Sequence, residues 1–271
     1  MKDMLLRCFS YASGLIVGVV VLFIFLYILF KGYSVINGQF LLNYPQGMPL
    51  GMAGGIFPAI MGSLYLGAVA ALIAGIFSLA TAIYLSFFCR NKAIYEINRF
   101  VIQCISGIPS IVLGLFGYSF LIMDAAIPKS LLSAGITLAV MIIPFITLRI
   151  EKVFNEFSRE IIASSLALGV SLTHTVMFIV LPVCRREIAT TIALASAYAM
   201  GATAPIMFTG AVLYTGKLPS LLDPFMALPY HLYILVNEGY SLEMAYGTAF
   251  VLLVLLIIIN LACQCLDGRK G

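Results

Sequence analysis

ASSLALGVSLTHTVMFIVLP, residues 163–182, is richer in hydroxyls than a lipid-facing helix and too apolar for a solvated loop. It lies between two charge-free runs, Ser130–Leu148 and Ile188–Gly216, so the surface it forms sits at one end of whatever those runs build. Gly169 permits a sharp reversal that residues with a Cβ adopt at a cost. Pro182 lacks the N–H that a continuing helix needs. The stretch therefore predicts two short helices around a glycine turn, ending before Arg185. Ile161, Ile162, Leu166, Leu168, Val170 and Leu172 give it apolar contacts. Such a surface either packs under a bundle or receives a partner, and these residues alone leave both open.

Working outward, the composition belongs to a chain whose solvent is hydrocarbon. It is 62% hydrophobic and 10% charged, with a mean hydropathy of +1.10. The charges gather at the ends of long uncharged runs: Cys8–Phe30, Phe100–Met123, Ser130–Leu148, Ile188–Gly216 and Met244–Leu266. A further uncharged stretch, Gly32–Cys89, has room for a loop and a span. A helix needs about 20 apolar residues to cross a bilayer. The expected fold is all-α and integral to the membrane, with six transmembrane helices over residues 11–30, 57–88, 100–123, 130–148, 188–213 and 244–266. The first run exceeds a signal-peptide core and has no clean small-residue cleavage site after it, so it is read as a retained anchor.

Lys and Arg set the orientation. With both termini inside (residues 1–10 and 267–271), the inner segments hold Lys2, Arg7, Arg90, Lys92, Arg99, Arg149, Lys152, Arg159, Arg185, Arg186, Arg269 and Lys270. The outer ones hold only Lys31, Lys129 and Lys217. The net charge of +4 is thus a topology signal, and nothing in it points to nucleic acid. All six cysteines fall at or near the expected inner ends, away from compartments where disulfides persist. Cys263-Gln264-Cys265 lacks the second pair that a zinc site requires, and His174 and His231 stand apart, so no metal or cofactor is expected. Neither a nucleotide-cradling loop nor a hydrolase or metalloprotease signature occurs; no catalytic residues are assigned.

Two spans carry unusual chemistry. SGIPSIVLGLFG, residues 106–117, interrupts a helix, either as a tolerated kink or as a helix start facing a polar route. IATTIALASAYAMGATAPIMFTGAVL, residues 188–213, is dominated by small residues and places Pro205 near its middle, a composition suited to the centre of a bundle. Pro144 falls in the middle of the fourth helical span.

The opening stretch also has a spacing. It resembles EAA-x3-G-x9-I-x-L-P, the coupling-loop signature of the permease subunits of bacterial ABC importers, with Gly169, Ile179, Leu181 and Pro182 in register. Ala163 stands for the signature's Glu, and Ser164 and Ser165 for its two Ala; Glu160 lies one turn earlier. GGIFPAIMGSLYLGAVAALIAGIFSLATAIYLSFF (54–88), SGIPSIVLGLFG, AYAMGATAPIMFTG (197–210) and MALPYHLY (226–233) narrow the resemblance to the PstA-type permeases of phosphate importers, across about Tyr11–Leu266.

That resemblance implies a MetI-like type I importer bundle whose coupling loop, residues 160–182, docks on an ATP-hydrolysing partner through Ala163, Ser164, Ser165, Leu168, Gly169, Val170 and Pro182. It also implies a second, PstC-like permease, an extracytoplasmic phosphate-binding protein and ABC ATPase subunits as partners. The translocation route then falls to Ser110, Arg149, Tyr198, Thr203, Pro205 and Thr209. Tyr198 occupies the family's Arg position in the fifth span and Ala202 its Glu. Leu148 takes the place of an Arg, which occurs one residue later as Arg149, while Glu151 matches the acidic position. With those charges replaced, the same machine carrying another oxyanion or solute is the alternative reading. A third reading is a membrane enzyme, or a non-transporting scaffold that kept the fold after losing its charges; an enzyme of this topology would show paired His or acidic residues near one face, and the sequence has none.

Overall fold

The computed structural model describes residues 2–47 and 53–267. Residues 48–52 of the expected outer loop and residues 268–271 of the expected inner tail lie outside the described residues. Helix α1 (Lys2–Gly32) is followed by a short α2 (Gly38–Leu42), capped by Asn37, whose side chain accepts from Phe40 N at 2.8 Å. A two-residue antiparallel pairing, β1 (Pro45–Gln46) with β2 (Ala53–Gly54), leads into α3 (Phe57–Ile83). Pro58 lies in the first turn of α3, where its missing N–H has no helical partner to lose. A π-helical turn, Tyr84–Phe88, extends this helix.

Asn91 caps α4 (Lys92–Ser106), accepting from Ala93 N at 2.9 Å. After the break at Gly107–Pro109 come α5 (Ser110–Gly117) and a π-helical continuation, Tyr118–Asp124. The axis turns by 97° at that break. The run expected as one span over 100–123 is therefore two helices, the first starting at Lys92. Ser130 then caps α6 (Leu131–Glu156). The first amides of α6 also find carbonyl partners from a later loop, Leu131 N on Asp223 O at 3.1 Å and Leu132 N on Leu221 O at 2.9 Å.

Beyond α7 (Arg159–Ala167), α8 (Leu172–Thr175) runs through a π-helical turn, Val176–Val180, directly into α9 (Leu181–Met200). The expectation that Pro182 ends a short second helix is corrected here. A proline ring clashes with the carbonyl four residues back and lacks an N–H. The wider register of a π turn placed just before it accommodates both, so residues 172–200 form one continuous helical rod. The chain breaks at Gly201–Thr203, resumes in α10 (Ala204–Thr209), and then runs extended through a backbone pairing of Val212 N with Phe225 O at 2.9 Å. Residues 210–213 of the expected fifth span are thus not helical. Two helices, α11 (Leu228–Asn237) and α12 (Leu242–Asp267), complete the chain. His231 is buried within α11 with its Nδ1 3.3 Å from Thr248 Oγ1.

Helices α3, α6 and α9 form the core. Leu66, Ala70, Ala74, Leu138, Ile142, Ile146, Ala195 and Ala199 share one buried cluster. Ser78 donates to Ile143 O across the α3–α6 contact at 3.1 Å, beside Pro144 in the interior of α6. Small residues on all three helices let the axes approach, the packing mode available where lipid supplies no hydrophobic drive. Helix α1 packs antiparallel on α12, with Phe25 against Phe250 and Tyr27 against Tyr246, and turns most of its apolar side chains outward.

Among the described residues, four helical runs are long and apolar enough to cross a membrane: Leu6–Gly32, Phe57–Phe88, Leu131–Glu156 and Leu242–Cys265. Counting the bent pair Lys92–Ser106 and Ser110–Asp124 gives five. The expected six is not reached on length and composition. The shortfall is α9, whose first turns carry Arg185, Arg186 and Glu187 and whose apolar run stops at Gly201.

Candidate functional site

The first feature is a hook made by α7 and the start of α8. Gly169 has φ +80°; Gly169 N donates to Leu166 O at 3.0 Å and Val170 N to Ser165 O at 3.2 Å. This paired pattern is the Schellman closure of a helix C-terminus. Ser171 then caps α8, accepting from His174 N at 3.3 Å. Across the turn, the Ser165 and Thr175 hydroxyls bond at 2.8 Å in a buried contact, and Thr175 Oγ1 also donates to Ser171 O at 3.1 Å. The reversal is fixed from three directions.

One face of the hook looks into the bundle. Ile162 packs against the core, and Ala163 lines a cavity of about 310 Å³ with Phe87, Phe154, Phe157 and Leu172. The other face is bare. Leu168 at the tip is 84% exposed, and Ile161 before the turn and Met177 and Phe178 after it are exposed as well; Leu166, also exposed, lines the same cavity as Ala163. His174 stacks on Phe178 with ring centroids 4.4 Å apart. Ser164 and Pro182 are exposed, and Val170 is half-buried. The coupling candidates thus divide by position: Ser165 and Gly169 build the turn, and Leu168 carries its apolar tip.

The second feature is a cleft of about 430 Å³ at the α4–α5 bend. The break starts a new helix at Ser110, and α5 is held against α10. A Cβ on Gly114 would lie 2.9 Å from both Ala204 O and Pro205 Cα, so only glycine permits this approach. Ile105, Ser106, Ile108, Ser110 and Leu113 line one side; Met141, Pro144, Phe145, Leu148 and Tyr198 line the other. Ser106 Oγ is already bonded to Gln103 O at 2.7 Å. The polar groups left to the cleft are the hydroxyls of Ser110 and Tyr198, the latter 65% exposed. Among the described residues, no charged side chain lines it.

The six route candidates do not converge. Ser110 and Tyr198 share the cleft. Thr209 is buried, its hydroxyl spent on Pro205 O at 2.9 Å; Pro205 is packed behind α5, and half-buried Thr203 precedes α10. Arg149 opens instead onto a separate cleft with Lys152, Glu156 and Glu187, while its neighbour Leu148 faces Tyr198. The one-residue displacement turns the side chain by roughly 100° on the helix, which accounts for the divergence.

Sequence reasoning missed one linkage. Glu151, only 3% exposed, accepts from the Tyr95 hydroxyl, and Arg99 Nη1 donates to that hydroxyl at 3.2 Å. This chain ties α4 to α6 at the end carrying Arg149. Its one legible signal was a carboxylate on an otherwise apolar helix face.

The geometry can be set beside known proteins. Residues 78–270 match the family described as binding-protein-dependent transport system inner membrane component. The chain is 32% identical over 212 residues to phosphate transport system permease protein PstA 2 of Mycobacterium bovis, covering 77% of this chain and 70% of that one. It is 29% identical over 209 residues to the probable phosphate transport system permease protein PstA of Methanocaldococcus jannaschii, covering 76% and 73%. Among solved structures it resembles an inward-facing MetNI methionine ABC transporter chain, with a TM-score of 0.61 and 17% identity, over 79% of this chain and 95% of that one. That last likeness speaks to fold.

Proposed function

The chain belongs to the family of binding-protein-dependent transport system inner membrane components, and from that premise we propose that it is the permease subunit of an ATP-driven importer of inorganic phosphate. The hook carries this reading. A rigidly closed turn with an exposed apolar tip at the end of a membrane bundle is what a docking element for a soluble motor requires. The phosphate assignment is supported by the names of its PstA relatives. ABC ATPase subunits, a PstC-like sister permease and an extracytoplasmic phosphate-binding protein complete the assembly, and both termini lie on the ATPase side.

In this mechanism, ATP closes the ATPases and moves the hook. Displacement of α7 reaches the core through Ile162. Displacement of α8 reaches Tyr198 through the continuous rod of residues 172–200, a lever of roughly 40 Å at 1.5 Å rise per residue. Tyr198 borders the cleft, so swinging the rod changes its width. Each partner need only bind one state better than the other for the cycle to turn. Within the cleft, Ser110 and Tyr198 offer neutral donors. Stripping water from an oxyanion is costly without charge-assisted partners, so this lining suits an anion in passage rather than one held.

The absence of charge in the cleft also favours a second reading, the same machine carrying another oxyanion or a neutral solute. Uptake of radiolabelled phosphate, competed with sulfate, molybdate and tungstate, separates the two. Deleting residues 163–182 should abolish uptake and co-purification of the ATPase. Unchanged co-purification would overturn the docking role, and phosphate-independent uptake would overturn the substrate.

A further inference from the structure

Helix α4 divides its surface into three faces. One is packed: Ile102 is buried, and Tyr95, Asn98 and Ile105 are half-buried against the bundle. A second is apolar and open, with Ile94, Ile97, Phe100 and Val101 all exposed. The third is polar and open. Lys92, Glu96, Arg99, Gln103 and Ser106 are exposed and recur at alternating intervals of four and three residues, which keeps them on one side of a helix. At roughly 100° per residue, this polar side lies about 100° from the packed face and about 150° from the apolar one.

Depth makes the polar side unusual. Helix α4 is the first half of a bent pair that is together long and apolar enough to cross a membrane. Its Tyr95 hydroxyl reaches Glu151, while Ile105 and Ser106 line the uncharged cleft with Met141 and Leu148; α4 therefore climbs α6 rather than lying across its end. Met141 and Leu148 stand roughly 15 and 26 Å along α6 from Leu131, and Glu151 roughly 30 Å. Ser106 and Gln103 thus fall within the ~30 Å hydrocarbon layer, and Arg99 near its inner edge. Gln103 is exposed there, and its side-chain amide bonds to no described residue. An unpaired amide is costly in hydrocarbon, and polar side chains at such depths face protein or a water-filled path. The apolar side of α4 suits lipid; the polar side needs water.

The charges give that path a use. Lys92 and Glu96 form an ion pair at 3.7 Å. Arg99 forms none among the described residues. Its Nη1 donates to the Tyr95 hydroxyl at 3.2 Å, and the Glu151 carboxylate lies beyond that phenol, buried. We propose that the polar side of α4 lines the inner half of the solute route, with Arg99 receiving an oxyanion as it leaves the uncharged cleft past Ser106 and Gln103. The guanidinium supplies the charge-assisted donors that Ser110 and Tyr198 lack, at an exposed position from which an anion is released rather than held. This rests on the permease reading above, but the placement of water along α4 does not depend on which solute is carried.

The test uses the full-length chain in the assembled transporter, in inside-out membrane vesicles. Its six cysteines are replaced by Ala, and one thiol at a time is introduced by Gln103→Cys, Ser106→Cys, Ile97→Cys or Val101→Cys. The reagents are two membrane-impermeant methanethiosulfonates, the anionic sulfonatoethyl and the cationic trimethylammonioethyl compounds. The first two thiols should react at least roughly tenfold faster than the other two, because the reacting thiolate is disfavoured in apolar surroundings. With Gln103→Cys, adding Arg99→Gln should lower the ratio of anionic to cationic rates by roughly tenfold, since a unit charge about 6 Å away shifts each rate roughly threefold in opposite senses. Arg99→Lys should restore the ratio, whereas a purely structural role for Arg99 would change both rates alike. Equal labelling of both sides of α4, no labelling of the polar side, or a ratio indifferent to Arg99→Gln would overturn the proposal. Inorganic phosphate should slow labelling at position 103. Slowing by sulfate or molybdate but not by phosphate would keep the route and overturn the phosphate assignment instead; slowing by none of the three would overturn the route.

Discussion

Replacing Leu168 by Ala should uncouple docking from folding. Leu168 is 84% exposed at the tip of the hook, so its side chain contributes little to the isolated fold. The whole effect of shortening it should appear when a partner covers it. Leu to Ala removes three carbons; at about 0.8 kcal/mol per buried methylene, scaled by the exposed fraction, the loss is roughly 2 kcal/mol. That corresponds to about a 30-fold weaker ATPase complex, since 1.4 kcal/mol is tenfold. The assay is equilibrium binding of the detergent-solubilised chain to its ATPase, run beside a thermal melt. Leu168→Met, which preserves apolar volume, should bind within a fewfold of the parent. An unchanged dissociation constant for Leu168→Ala would refute the reasoning, because the most exposed apolar side chain of the hook would then face no partner. A fall in melting temperature with unchanged binding would refute it equally, by making the residue structural.

The remaining expectations follow from local geometry. At Gly169 a Cβ meets nothing within 4 Å, but φ is +80°, so Gly169→Ala should cost only the left-handed backbone penalty of about 1–2 kcal/mol. Gly169→Asn should cost less, read as ATPase affinity. Gly114→Val places branched carbons against the Ala204 carbonyl and the Pro205 backbone, and should destabilise by about 1–3 kcal/mol through overpacking while widening the α5–α10 contact, read by thermal melting and uptake. Burial pushes the His231 imidazole down to about 4, in a helix outside the candidate spans. The neutral form is favoured by folding, so its stabilisation is complete above the ordinary value near 6.5 and is lost as pH falls from there toward 4. The change is at most about 3 kcal/mol at 1.36 kcal/mol per unit, and His231→Gln should flatten that part of the melting-temperature profile.

Legibility from sequence followed the range of the forces involved. The Gly169 turn was readable because its cause is one residue's φ and two hydrogen bonds within six residues. The break at Gly107–Pro109 was readable as a break, but its 97° bend was not: that angle is set by α5 lying against α10, a contact between residues about 90 positions apart. The continuity of residues 172–200 was invisible for a subtler reason. Pro182 is a stop signal in α-helical register, and nothing in the local composition announces that the preceding turn adopts π register. Arg149 and Leu148 show the limit most plainly. Their spacing predicted divergent faces, yet which face meets Tyr198 depends on how α6 is rotated against α9.

The continuous rod alters what the hook can do. Had Pro182 ended a separate short helix, motion of the hook would reach the core only where Ile162 packs against it, beside a cavity that Ile162 and Leu172 line together with Phe87, Phe154 and Phe157, an arrangement that side-chain rotation can absorb. With residues 172–200 helical throughout, a tilt at Ser171 is conveyed along backbone hydrogen bonds to Tyr198 without passing through side chains. The π turn is then the most compliant point of the lever, because its hydrogen-bond register is the least favourable in the rod. Deleting one residue between Val176 and Val180 would remove the π turn, restore α register and rotate the segment before it, hook included, by roughly 100° about the rod axis relative to Tyr198. The hook and the cleft would each survive, but out of phase. Uptake should therefore fail while ATPase docking and thermal stability of the core persist, a separation that a contact-only relay through the Phe cluster would not produce.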